Sequence, residues 1–176
     1  MTNQPQAESL SFPQAIALTQ SLIEQIEVGK LNEDEIERQV ISILKNKNGG
    51  RGFFVSYLTG DMSLADNPST GIINGLKSSI GLASELLVKN LAMSSAMIIT
   101  HTHNNDLDNA EGSQKVHRRT KNLLKQLNCR ENKEQLLELH RTIKTGNGKY
   151  QSFLKRWNYD VEQQKAIAEA IISVLA

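Results

Sequence analysis

A chain of 176 residues with 39% apolar and 22% charged residues has the size and balance of one globular domain with a real core. Its aromatic share of 5% suits helices packed through Leu, Ile and Ala better than an all-β sandwich, and its single cysteine, Cys129, excludes an internal disulfide. The net charge of +1 hides a strong asymmetry: residues 1–114 hold 7 Lys/Arg against 13 Asp/Glu, whereas residues 115–156 hold 12 against 3.

The start, MTNQPQAESL, has neither a basic n-region nor an apolar h-region, so a loose segment over residues 1–10 and no signal peptide are expected. Ser11 sits where an N-cap belongs, with Pro13 in the first turn. Ile16, Leu18, Leu22, Ile23 and Ile26 then give a helical stripe that stops at Gly29. Asn32 followed by Glu33, Asp34 and Glu35 starts a second helix, because the side chain caps free N–H groups and the carboxylates complement the dipole. Ile36, Val40, Ile41, Ile43 and Leu44 form its buried face, and Lys45, Lys47, Gly49 and Gly50 read as its end. An antiparallel hairpin over residues 11–48 is the expected arrangement.

Phe53, Phe54, Tyr57 and Leu58 fit a helix, whereas Phe53, Val55 and Tyr57 alternate as a strand would. No second strand is available to pair with, so the helix is preferred. Asn67-Pro68 predicts a helix start with Asn67 as cap. The short helix that follows carries Gly71 and Gly75 on one face, a flat strip for a neighbour.

Ile80 to Thr100 is the longest apolar window and predicts a central helix. Leu82, Leu86, Met93 and Met97 form one stripe, Ala83, Leu87, Leu91 and Ile98 the next face. Glu85 stands four residues before Lys89 in the orientation that supports a helix. Apolar residues on so much of the circumference imply neighbours on several sides. The charges and serines within the window argue against insertion in a membrane.

Residues 110–176 predict basic C-terminal helices. Val116, Thr120, Leu123, Leu124 and Leu127 face inward on the first, and Leu136, Leu137, Leu139 and Ile143 on the second. Gly146-Asn147-Gly148 then turns the chain. Tyr150, Phe153, Leu154 and Trp157 mark a short aromatic helix, and Asp160 caps the last, with Ala166, Ile167, Ala170, Ile171 and Val174 inward. The fold class is therefore all-α: one domain over residues 11–176, six to eight helices around a buried central helix at about 80–100.

Three constellations carry possible chemistry. His101-Thr-His103-Asn-Asn-Asp106-Leu-Asp108 resembles the loops in which imidazole and carboxylate hold zinc or iron, so His101, His103, Asp106 and Asp108 form a candidate metal set. Residues two apart converge only on an extended backbone; on a helix they diverge by about 200°. Gly71 to Ser78 looks like a phosphate loop with the wrong glycine-to-lysine spacing and no preceding strand, and the glycines around Arg51 are a second, weaker anion cradle. The basic block is the third: Arg118, Arg119, Lys121, Lys125, Arg141, Lys155, Arg156 and the neighbouring Trp157 are candidate partner contacts. Arg130 beside Cys129 favours a thiolate there, although a reduced cysteine at a helix end explains it as well.

No Gly-x-Ser-x-Gly elbow, Cys-x-x-Cys pair or apolar acidic pair supports nucleophilic catalysis, and no cofactor is expected. The reading favoured is a non-enzymatic, cytoplasmic helical protein that acts by binding another protein, a homodimer being one form of that. The alternatives are a metal-dependent enzyme centred on His101 and His103, and nucleic-acid binding through residues 115–156.

Overall fold

The computed structural model describes residues 9–176, which run through α1 (Phe12–Glu27), α2 (Glu33–Ile43), α3 (Lys47–Thr59), a 3-10 turn (Ser63–Ala65), α4 (Thr70–Ser78), α5 (Ile80–His103), α6 (Leu107–Leu127), α7 (Arg130–Thr145), α8 (Gln151–Trp157) and α9 (Val161–Leu175). Among the described residues there is no strand, so the all-α expectation holds, with nine α-helices rather than six to eight. The loose segment expected over residues 1–10 falls almost wholly outside the described residues.

Capping chemistry sets several of these starts. The side chains of Ser11, Asn32 and Asp160 accept from the backbone N–H three residues on, and Gln14, Glu35 and Gln163 reach back to the cap's own N–H. Two boundaries differ from expectation. Asn46 Oδ1 accepts from Gly49 N at 2.7 Å and starts α3 at Lys47, so Gly49 and Gly50 lie inside a helix instead of ending one. Ser69, not Asn67, caps α4, because Asp66 and the turn before it are drawn onto α6.

Glycines then choose the helix partners. A Cβ on Gly52 would lie 2.5 Å from Ala15 Cβ and 3.0 Å from Phe12 O, so α3 seats its backbone directly on α1. A Cβ on Gly75 would lie 2.6 Å from Val40 Cβ, so the strip on α4 receives α2. In consequence α1 packs chiefly on α3 and α2 on α4, and the expected α1–α2 hairpin is a minor contact. Residues 51–58 lie within α3, with Phe53, Phe54, Tyr57 and Leu58 all buried.

Around this frame α5 is the axis. It packs against α6, α9, α7, α3 and α4, which surround it much as its apolar circumference requires. Ser84 and Asn132, both buried, hydrogen-bond to each other and tie α5 to α7, and Asn132 Nδ2 also reaches Leu124 O. The helix is long and apolar enough by composition to cross a membrane, yet 56% of its most apolar window is buried in the fold. One contiguous core joins residues from α1 to α9. Leu137 departs from expectation: it is 56% exposed, because α7 turns only Leu136 and Leu139 fully inward.

Candidate functional site

The candidate metal set does not come together. His101 and His103 lie in the last turn of α5, where helical geometry separates them. His101 Nδ1 stands 3.7 Å from Asp106 Oδ2, while His103 Nε2 stands 3.2 Å from Glu162 on α9. Asp106 caps α6 through Asn109, whose hydrogen bonds hold its carboxyl below the usual carboxylate range. Asp108 supplies a negative charge to the first turn of α6. No group of three or more metal-ligating side chains occurs among the described residues.

The glycine motifs fare no better as anion cradles. Gly71 to Ser78 is α4, and the glycines around Arg51 are inside α3, so their N–H groups belong to helices. Gly71 N is instead taken by the Glu33 carboxylate.

The basic block divides. Arg119 was expected at the surface, yet only 2% of it is exposed. All five of its N–H groups find acceptors: Asp66 twice at 3.1 and 3.2 Å, and the carbonyls of Leu58, Gly60 and Met62 at 3.1, 2.6 and 3.0 Å. Its guanidinium holds the Asp66 carboxyl below its ordinary range. Arg118, one residue earlier, reaches the same carboxylate at 3.5 Å, Lys115 meets Asp61 at 3.1 Å, and Asn122 donates to Asp66 O. Residues 115, 118, 119 and 122 are one face of α6, and that face staples the loop between α3 and α4. Lys121 is half-buried and Lys125 exposed on the same helix, and Arg141 pairs with Glu138 on α7. Lys155 is exposed on α8.

Arg156 and Trp157 lead elsewhere. They border a cleft of about 560 Å³ formed by α3, α5 and α8 with the start of α1. Its apolar wall is Phe12, Phe54, Leu86, Met93, Phe153 and Trp157, and its cations are Lys47, Arg51, Lys89 and Arg156. Three cations lie over rings: Arg51 at 5.2 Å from Phe12, Lys89 at 5.9 Å from Phe153, and Arg156 at 5.8 Å from Trp157. Among the described residues no Asp or Glu lines the cleft. Among the described residues Glu85 answers it from the side, accepting from Lys89 at 2.6 Å, and that bond, with Lys47 and Lys149 nearby, depresses its carboxyl pKa. Lys47, Arg51 and Arg156 form no ion pair among the described residues. Of the aromatic run Tyr150–Tyr159, the two tyrosines are buried anchors, whereas Trp157 is 46% exposed at the cleft's rim.

Sequence reasoning missed most of this site. Phe12, Lys47, Arg51, Lys89 and Phe153 come from four helices, and nothing local in the sequence links them. The one available signal was Lys47 and Arg51, four apart and both on the solvent side of a glycine-rich helix.

A half-buried Ser–His contact also escaped the sequence. His117 Nδ1 lies 3.3 Å from Ser95 Oγ and 3.5 Å from Ser94 Oγ. Both hydroxyls donate to Leu91 O, at 2.7 and 3.2 Å. Burial, and then the charge of Lys121, lowers the His117 pKa. The contact is a polar tie between α5 and α6.

No curated protein and no solved structure matches the chain. The model of one protein family, described as Uncharacterised conserved protein UCP020893, matches residues 11–174. That span covers every helix from α1 through α8 and nearly all of α9, and the chain belongs to that family.

Proposed function

We propose that this chain is a non-enzymatic binding protein whose contact site for another protein is the cleft between α1, α3, α5 and α8. One observation carries the reading: Lys47, Arg51 and Arg156, which form no ion pair among the described residues, line a cleft with an aromatic wall, and Arg51 and Arg156 lie over Phe12 and Trp157. Aromatic side chains with arginine are the composition of interface hot spots, and crowded like charges are costly unless a partner answers them. The reduced state that a lone Cys129 suits agrees with a cytoplasmic setting. Nucleic-acid binding through residues 115–156 draws less support, because Lys115, Arg118, Arg119, Arg130 and Arg141 each meet a carboxylate of this chain.

The test compares the wild type with an Arg51→Glu/Arg156→Glu variant in native co-purification, with solution mass measured at two salt concentrations. The expected outcome is a protein partner, or a second copy, held by the wild type, weakened by salt and lost by the variant. Equal retention by both proteins overturns the reading, and so does a salt-insensitive monomer that holds nothing.

A further inference from the structure

The side of α5 turned toward the cleft reads Leu86, Lys89, Asn90, Met93, Met97 and His101. Steps of three and four residues make this one stripe, which runs ~22 Å along the helix axis at 1.5 Å per residue. The basic cleft covers its first half. A second cavity of about 320 Å³, walled by α6, covers the rest, and the two cavities share Asn90 and Met93. The two cavities adjoin along α5 and together make up a channel, basic and aromatic at the Leu86 end and lined beyond it by Met93 and Met97 with His101 and Lys115.

We infer that this channel seats an amphipathic α-helix of a partner protein, acidic where it meets Lys47, Arg51 and Arg156 and apolar where it meets Met93 and Met97. The inference rests on the binding function proposed above and names the partner's chemistry. Charge complementarity selects the acid, since among the described residues the cleft end carries four cations and no lining carboxylate. Backbone accounting selects the helix. Every wall is helical, so among the described residues no strand edge exists to pair with an extended peptide, whose N–H and C=O groups would be stranded over an apolar floor. A helix satisfies its own backbone and presents residues at the spacing of the α5 stripe. Methionines are the side chains that best accommodate such a visitor, being unbranched and polarizable. Among the described helices of a second copy, the most acidic one, α2, is not free for this, having Ile36, Val40 and Ile43 buried in its own core.

Peptide display tests this directly. Random peptides of ~18 residues, about 27 Å long as helices, are selected on the full chain and counter-selected on Arg51→Glu/Arg156→Glu. Trp157 is the only tryptophan, so its emission reports occupancy of the cleft without a label. The expected winners carry apolar residues at i, i+3 or i+4, and i+7, with Asp or Glu clustered toward one end. They gain helical circular dichroism on binding, shift Trp157 emission to the blue, and bind Met93→Glu about tenfold or more weakly. Met97→Glu replaces that variant if Met93→Glu does not fold. Winners that alternate with period two, or stay non-helical when bound, overturn the helix and leave an acid-binding cleft. An emission shift that follows the chain's own dimerisation, or a salt-steep shift with a 20-nucleotide oligomer, reassigns the channel and overturns the inference. No enrichment over the counter-selecting variant overturns the binding function as well.

Discussion

Arg119 and Arg156 come from the same basic block and do opposite things. Arg119 spends all five donors on Asp66 and three carbonyls, and so holds the loop between α3 and α4 against α6. Arg156 lies over Trp157 at the rim of the cleft with no carboxylate partner among the described residues. One region has its electrostatics closed, the other open. A charge run read from sequence is therefore two populations, and only neighbours distant in the chain assign a residue to either. Asp66 lies 53 positions from Arg119, and no periodicity within α6 reports it.

The closed region gives the largest expected effect. Arg119→Met leaves three loop carbonyls and a carboxylate without their donor, a loss of about 3–5 kcal/mol. Its melting temperature falls by roughly 10 °C or more for a chain of this length. Arg119→Lys recovers little, because an ammonium cannot reproduce the planar fork. A melting curve for Arg119→Met that overlays the wild type would erase the distinction between the two regions.

Next comes the wall shared with the open region. Gly52→Ala places a methyl 2.5 Å from Ala15 Cβ and 3.0 Å from backbone atoms of α1 that have little freedom to move. The strain, about 1–3 kcal/mol, outweighs the gain in helix propensity of about 1 kcal/mol. Gly112→Ala on α6 meets nothing within 4 Å and should raise stability by up to about 1 kcal/mol. Thermal denaturation of the two variants side by side measures both signs, and a stabilised Gly52→Ala would mean that α1 and α3 do not touch as described.

These particulars show how far the sequence reaches. Local rules reach well: the caps at Ser11, Asn32 and Asp160 and the apolar circumference of α5 all appear as short patterns. Glycine misled where its meaning depended on a distant neighbour. Gly49 and Gly50 looked like a helix end, but a nearby cap at Asn46 and close packing turned them into the interior of α3. The histidine pair was legible as a motif, and its failure to converge followed from its helical setting, already implied by the run before it. The cleft was not legible, since Phe12, Arg51, Lys89 and Phe153 meet only after four helices have packed.

Between the two regions lies His117, half-buried against Ser94 and Ser95. Its pKa is lowered, first by burial and then by Lys121, so the unfolded chain takes up the proton more readily than the folded one. The stabilisation is whole above the unfolded value of about 6.5 and is lost as pH falls through the lower folded value. Melting temperature measured from pH 7.5 down to pH 5 should therefore decline, and His117→Gln, which keeps a donor for the hydroxyls, should flatten part of that decline. Identical slopes for the two proteins would remove His117 as the cause.

The smallest expected change in stability belongs to the open region, and its smallness is the point. Arg51→Glu/Arg156→Glu removes two cation–π contacts at the rim but no buried hydrogen bond and no ion pair within the described residues, and relief of cation repulsion offsets that loss, so its stability should stay within about 1 kcal/mol of the wild type. The direction is informative too. Four cations share the cleft, answered from one side by Glu85, and two added carboxylates convert mutual repulsion into attraction toward Lys47 and Lys89. The variant should melt at the wild-type temperature or slightly above it in low salt. Added salt should then stabilise the wild type more than the variant, because only the wild type has repulsion left to screen. A clear loss of stability in the double variant would show that Arg51 and Arg156 hold the fold as Arg119 does, and the cleft would lose its standing as a surface kept open for a partner.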